Sequence, residues 1–344
     1  MSDNALQLAI RQLAFGASLT VAEASEAFGV IMRGEATPAQ VAGLLMALRI
    51  KGETIDEVAG AASALRAAMV HLEAADPGAL VDTCGTGGGS ITTFNISTAA
   101  ALLAAGLGVR VAKHGNRSFT SQCGSADVLE ALGVPLDVSP TVMARALRDA
   151  GIVFMFAPSM HPAMRHVGPV RRELAVPTVM NIVGPLANPA SSGRQVLGVA
   201  EMTRMALLAG ALAALGTRHA LVVHGEPGMD EFSPLGRTRV VEVRGGTTCE
   251  WFVDPAEHGF GAFSAESLAG GSPTDNARIV TEVLGGNGSP AATAAVILNA
   301  AAALYVGGQV PSYAAGVGAA RDGVRAGVGL VALDRLRRAY TRAD

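Results

Sequence analysis

Between Asp82 and Thr98 the chain reads DTCGTGGGSITTFNIST. Gly85, Gly87, Gly88 and Gly89 leave the backbone bare where a strand-like run, ALVDTC, gives way to a helical pattern beginning near Asn95 or Ser97. Glycines let backbone N–H groups approach an anion closely, and a helix N-terminus adds positive potential. The hydroxyls of Thr93, Ser97 and Thr98 add donors. The stretch is a candidate phosphate or pyrophosphate cradle, with an ordinary glycine-rich turn as the plain alternative. It is neither G-x-G-x-x-G nor a Walker A loop, because no Gly-Lys-Ser/Thr follows.

Three further stretches carry chemistry. In VAKHGNRSFTSQCGSAD, Lys113 and Arg117 can neutralise phosphate charge, and His114 and Asn116 offer hydrogen bonds. Gly115 permits an unusual backbone there, and Ser118, Thr120, Ser121 and Ser125 add hydroxyl donors. In HPAMRHVGPVRRELAVPTVMNIVGPLANP, Arg171 and Arg172 are either carboxylate clamps, since guanidinium meets a carboxylate bidentately, or a solvated surface pair. The NIVGPLANP portion is turn-rich and suits a pocket wall. In VVHGEPGMDEFS, Asp230 and Glu231 are adjacent carboxylates, hard oxygen ligands suited to a Mg²⁺ that arrives with substrate phosphates. A solvated acidic turn is the other reading of that pair.

The elements around these stretches follow from periodicity. Thr20 with Glu23, Thr37 with Gln40 and Thr54 with Glu57 have capping-box spacing, and Val41, Leu44, Leu45 and Leu48 recur at helical intervals. A helical unit is therefore predicted over residues 1–76, ending near Asp76-Pro77-Gly78. From residue 77 to 344, short β-rich runs (ALVDTC, VRVAKHG, GIVFMFAP, QVLGVA, HALVVHG, RVVEVR) alternate with Ala- and Leu-rich helical stretches. That alternation predicts an α/β fold: a small all-helical domain plus a larger α/β domain with a mostly parallel central sheet. Ligands of such sheets gather at the carboxyl ends of the strands, where the four polar stretches fall.

Composition narrows the class. Of 344 residues, 50% are hydrophobic and 16% charged, which excludes a disordered chain. A net charge of −3 supplies no field for a nucleic-acid backbone. Three scattered cysteines, Cys84, Cys123 and Cys249, form neither a disulfide framework nor a zinc spacing, so a cytoplasmic location is expected. The opening residues carry acid early and lack a long apolar run, unlike a signal peptide. From Pro290 to Pro311 no charge occurs, but the Ala-rich composition predicts a buried core helix, not a membrane span.

Together these motifs resemble those of the anthranilate phosphoribosyltransferases. The likeness runs from GEATPAQVAGLLMALRIKGET to ILNAAAALYVGG, with Gly-Thr-Gly-Gly, Asn-Ile-Ser-Thr, Lys-His-Gly-Asn-Arg, Gly-Pro-Leu-x-Asn-Pro and the late Asp-Glu in the family's order. The related nucleoside phosphorylases carry a Lys-His-Ser-Thr-Gly-Gly loop that is absent here. The resemblance implies transfer of the phosphoribosyl group of phosphoribosyl pyrophosphate to the anthranilate amine with release of pyrophosphate, the second step toward tryptophan. No covalent or obligatory acid–base residue is expected. The resemblance further implies that Gly85, Thr86, Gly87 and Gly88 cradle pyrophosphate, and that Thr93, Asn95, Ser97 and Thr98 bind phosphate. Lys113, Asn116 and Ser125 would hold the phosphoribosyl group. Gly85, Asn116 and Arg171 would contact anthranilate, with His114 and Pro185 at the pocket mouth. Ser97, Asp230 and Glu231 would serve two Mg²⁺ ions per subunit. It also implies a homodimer formed through the helical domain, to which a segment near 168–190 would be joined.

The chain departs from the family's usual pattern at a few positions. Gly-Thr-Gly-Gly-Asp-Gly is common in the family, whereas Gly89 and Ser90 stand at its end here. Pro177 replaces a common arginine, and Met160 a frequent His or Tyr. Activity is expected to survive with altered metal dependence. A paralogue with another aromatic acceptor, or with a nucleic-acid-binding role, is the alternative.

Overall fold

The computed structural model describes residues 4–118 and 122–341. Four helices open the chain: α1 (Ala5–Ala14), α2 (Val21–Met32), α3 (Pro38–Lys51) and α4 (Ile55–Ala67). The predicted capping boxes are formed at α2, α3 and α4 by Thr20 and Glu23, Thr37 and Gln40, and Thr54 and Glu57. Each satisfies free N–H groups at a helix start, worth about 1 kcal/mol. Glu57 does more: fully buried, it also accepts from the Leu19 N–H at 3.0 Å and the Lys51 ammonium at 3.0 Å, tying the α2 entrance to α4.

Strands and helices then alternate. In chain order they are β1 (Val81–Gly85), α5 (Ile96–Gly106), β2 (Val111–Gly115), α6 (Ser125–Ala131), α7 (Pro140–Asp149), β3 (Ile152–Phe156) and the short α8 (Ala157–Met160), α9 (Gly168–Leu174) and α10 (Met180–Val183). They continue with β4 (Arg194–Gly198), α11 (Met205–Ala214), β5 (His219–Gly225), β6 (Thr238–Arg244), β7 (Thr247–Val253), α12 (Pro273–Leu284), α13 (Pro290–Gly307), α14 (Tyr313–Arg325) and α15 (Val328–Thr341). One seven-stranded sheet has the order β3-β2-β1-β4-β5-β6-β7. β3 through β5 pair parallel, and β6 and β7 add an antiparallel edge.

Both sheet faces are covered, which is why the strands read as near-continuous apolar runs. Val196, Leu221 and Val223 face a core built on α5, α13 and α15, while Leu197, Ala220 and Val222 face a second core shared with α1–α4 and residues 163–187. Within that second core α9 packs on α3 and α10 on α4. The charge-free stretch forms α13, which by length and composition alone could cross a membrane and which lies 78% buried inside the fold. β1 and β4 are neighbours while the chain from β1 continues to β2 on the other side, so the strand order reverses there. The crevice at such a reversal is where open α/β sheets take ligands.

Candidate active site

The carboxyl ends of β1 and β2 and the loops that leave them enclose a cavity of about 420 Å³, a size suited to a small phosphorylated ligand. Its wall includes the glycine loop from Gly85 through Gly89, with Thr93, Asn95 and Ser97 at the start of α5. It also includes Lys113, His114, Asn116 and Ser125 from the β2 side, and Asp230 and Glu231 from the loop after β5. Three of the four stretches, far apart along the chain, thus meet at one place.

Gly87 and Gly88 adopt φ of +71° and +80°, a left-handed backbone that glycine takes without strain. The Gly87 N–H donates to Asp230 Oδ2 at 2.8 Å. A Cβ on Gly85 would collide with that same carboxylate, so only glycine lets the strand end and the acidic loop meet. Thr86 is fixed by donating its N–H to the Gly198 carbonyl and accepting from the Ala200 N–H at 3.1 Å.

Lys113 is almost fully buried, with its ammonium on the Thr83 carbonyl and 3.3 Å from Ser97 Oγ. Burial lowers its pKa, against the pull of Asp82, Cys84 and Glu231. Asp82, wholly buried beneath the cavity, is pushed up to about 6 by burial, with Lys113 and the donors Asn188 and His114 N–H opposing. Asp230 and Glu231 are likewise raised, first by burial. The neighbouring Asp230 charge raises Glu231 further, while the Ser97 backbone, Lys113 and Thr93 oppose. Two carboxylates held above their ordinary range beside backbone donors form a site that a cation would relieve. Among the described residues no cluster of three His, Cys, Asp or Glu is ready-made for a metal. Two adjacent carboxylates on the cavity wall are hard oxygen donors that fit Mg²⁺ completed by substrate phosphate oxygens.

Other expected residues fall elsewhere or are otherwise engaged. Thr98 is buried with its hydroxyl unpartnered among the described residues and does not line the cavity. The Asn95 amide is committed, accepting from Asn276 at 2.8 Å and donating to the Cys123 carbonyl at 3.1 Å. Arg117 is already paired with Asp127 and Glu130. Thr120 and Ser121 lie outside the described residues. Pro185 is one step removed: its carbonyl accepts from Gln195 Nε2 at 2.6 Å, which also reaches Cys84 Sγ at 3.1 Å. Arg171 is half-buried on α9, away from the cavity wall; burial alone lowers its pKa, and among the described residues no carboxylate opposes it.

Several residues were given no role in the site by the sequence. His161 packs against His114 with ring centroids 4.9 Å apart. Burial pushes His161 to about 4 and His114 to about 3, so both are neutral imidazoles at pH 7. His114 Nε2 is buried without a partner among the described residues. Asn188, from the turn-rich wall, donates to Asp82 at 2.7 Å and to the Ala112 carbonyl at 2.8 Å, bracing β1 against β2. Asn299 on α13 clasps both backbone groups of Phe232, fixing the residue after Glu231. The available signal was a polar residue set into an apolar run: Asp82 after the apolar start of ALVDTC, and Asn299 alone in AAVILNAAAALYV.

Residues 77–330 match the α/β domain of a glycosyl transferase family, and residues 7–69 match that family's helical bundle domain. A protein of Rubrobacter xylanophilus named anthranilate phosphoribosyltransferase is 47% identical over 337 residues, 98% of each chain. One of the same name from Chloroflexus aggregans is 50% identical over 319 residues, 92% of this chain and 93% of that one. The chain belongs to the anthranilate phosphoribosyltransferase family. Among solved structures, the anthranilate phosphoribosyltransferase of Thermus thermophilus superposes with a TM-score of 0.92 at 43% identity, covering 97% of this chain and 99% of that one. That of Saccharomyces cerevisiae, in complex with phosphoribosyl pyrophosphate and Mg, gives 0.87 at 26% identity over 98% of both. The helical unit and the mostly parallel sheet expected from the sequence are thus the fold of an anthranilate phosphoribosyltransferase.

Proposed function

We propose that the protein transfers the phosphoribosyl group of phosphoribosyl pyrophosphate to the amine of anthranilate, releasing pyrophosphate. The observation that carries this reading is the single cavity joining the glycine cradle, the buried Lys113 and the raised carboxylates of Asp230 and Glu231. A departing pyrophosphate is a polyanion, so its loss demands charge neutralisation and fixed donors, not a covalent intermediate. Backbone N–H groups from Gly85 to Gly88 would hold it, with Thr93 and Ser97 beside it and Lys113, Asn116 and Ser125 toward the ribosyl phosphate. Asp230 and Glu231, with Ser97, would hold Mg²⁺, at two ions per subunit. When bound, Mg²⁺ supplies the positive charge that the leaving group needs. Thr98 and Asn95 would act indirectly, by shaping the α5 start.

The acceptor side is set by neutral groups and one unopposed cation. Arg171 has no carboxylate of its own among the described residues and would face the anthranilate carboxylate across Asn116 and Gly85. His114 and Pro185 would line the mouth, and the neutral His161 ring would back His114. An aniline nitrogen is weakly basic and largely unprotonated, so it attacks C1 without a strong base. The protein is further proposed to act in the cytoplasm and as a homodimer through α1–α4. The exposed Phe15, Ile50 and Leu8 of that unit support the latter.

The test is loss of anthranilate fluorescence on mixing purified protein, phosphoribosyl pyrophosphate and anthranilate across a magnesium titration. Magnesium-dependent loss supports the reading. No loss at any magnesium level, with the pyrophosphate donor still bound, assigns the phosphate machinery to another acceptor.

A further inference from the structure

The turn that precedes Asp230 is closed on itself, with the Gly225 and Met229 backbones exchanging bonds of 2.9 and 2.7 Å. Its outward carbonyls at Pro227 and Gly228 are both taken by one residue of the glycine loop. Ser90 donates its hydroxyl to Pro227 O at 2.8 Å and lies 3.3 Å from Gly228 O, to which its N–H donates at 2.9 Å. Gly228 has φ of +116°, and a Cβ there would strike the Ser90 hydroxyl, so the seat requires glycine. Three residues earlier, the Gly87 N–H is bonded to Asp230 Oδ2. The glycine loop is therefore pinned to the acidic segment at both ends, with only Gly88 and Gly89 between.

We infer that Ser90 is a positioning residue: its hydroxyl adds to its N–H in fastening the glycine loop to the 226–231 turn, so that less of the tie falls on the Asp230 carboxylate. This rests on the transfer reading above. Without the hydroxyl, the Ser90 end keeps only its N–H on the Gly228 carbonyl, and the Gly87–Asp230 bond takes a larger share of the tie. The same carboxylate would then be asked both to hold the loop and to hold a cation. The two demands compete, and the competition shows as weaker binding of the metal-bound polyanion, with less effect on the step after binding.

Ser90→Ala and Ser90→Thr are compared with the unmodified protein. Calorimetry measures binding of inorganic pyrophosphate with Mg²⁺, and anthranilate turnover gives KM, kcat and the half-saturating magnesium. Loss of the hydroxyl in Ser90→Ala is expected to weaken pyrophosphate–magnesium binding and raise both KM for the donor and half-saturating magnesium about 2–10-fold. kcat should change less, Ser90→Thr should recover most of the loss, and the melting temperature should stay put. A purely structural serine would move stability and kcat together and leave the magnesium midpoint alone. Unchanged binding and magnesium midpoint in Ser90→Ala overturn the inference. If the unmodified protein binds pyrophosphate but turns over no anthranilate, the transfer reading fails instead, and the binding comparison still decides the role of Ser90.

Discussion

Gly89 lies close beside Asp230 and the Gly228 carbonyl. A Cβ placed there would sit 3.1 Å from the Gly228 carbonyl and 3.5 Å from Asp230 Oδ1, an electron-rich neighbourhood. Gly89→Asp therefore adds a third negative charge against a pair already raised by burial, and only a cation relieves it. Half-saturating magnesium is expected to fall about three- to tenfold in this variant; an unchanged magnesium optimum would sink the idea. The stability of the fold also responds to pH through Asp82. Asp82 titrates near 6 in the fold against an ordinary 3.8, so the folded chain binds this proton more tightly than the unfolded one. Its burden is absent below about pH 4, grows as pH rises to about 6 and is then constant, at about 3 kcal/mol. Asp82→Asn cannot ionise, so its melting temperature should gain on the unmodified protein between about pH 4 and 7. Residue types were legible at this scale: the glycines, Lys113 and the acidic pair could be read from their place after strand-like runs. Side-chain direction was not. The Asn95 amide is claimed by Asn276, 181 residues away, and Arg117 by Glu130, partners that no local pattern names.

Asn188 is the brace between two elements. It bonds Asp82 in β1 and the Ala112 carbonyl in β2, and its own Oδ1 accepts from the Ala190 N–H. Asn188→Ala would leave a buried carboxylate and a buried carbonyl short of a donor, a loss of about 2–3 kcal/mol. Urea unfolding should show a lower midpoint at unchanged slope, and donor affinity should fall because both strand ends carry cavity residues. An unmoved midpoint would mean that water replaces the amide. The parallel strands and their helices were legible because a sheet buried on both faces forces continuous apolar runs. β7 was not, although Gly245-Gly246 between RVVEVR and TTCEWFV is a two-residue hairpin turn with φ of +57° and +81°. Its residues are mostly exposed, so the strand lacks the apolar signature of the others. The capping boxes of α2, α3 and α4 were legible because their bonds span only three residues.

At the scale of the molecule, the helical unit presents Phe15 at 86% and Ile50 at 80% exposure. Large apolar side chains left this open mark an association surface when they share one unit. If the proposed dimer forms there, light scattering should give twice the monomer mass, and Phe15→Glu with Ile50→Glu should halve it while each chain stays folded. A mass unchanged by both substitutions would move the interface elsewhere. That surface was invisible in the sequence, since exposure of an apolar residue is decided by what the rest of the fold fails to cover. The bonds that build the active cavity have a further consequence, in time instead of space. Gly87 reaches Asp230 across 143 residues and Asn188 reaches Asp82 across 106. Contacts of such separation close late. A chain emerging from synthesis carries its glycine loop long before the carboxylates exist to meet it. It gains competence only when β5 and the turn beyond it have been made and folded back.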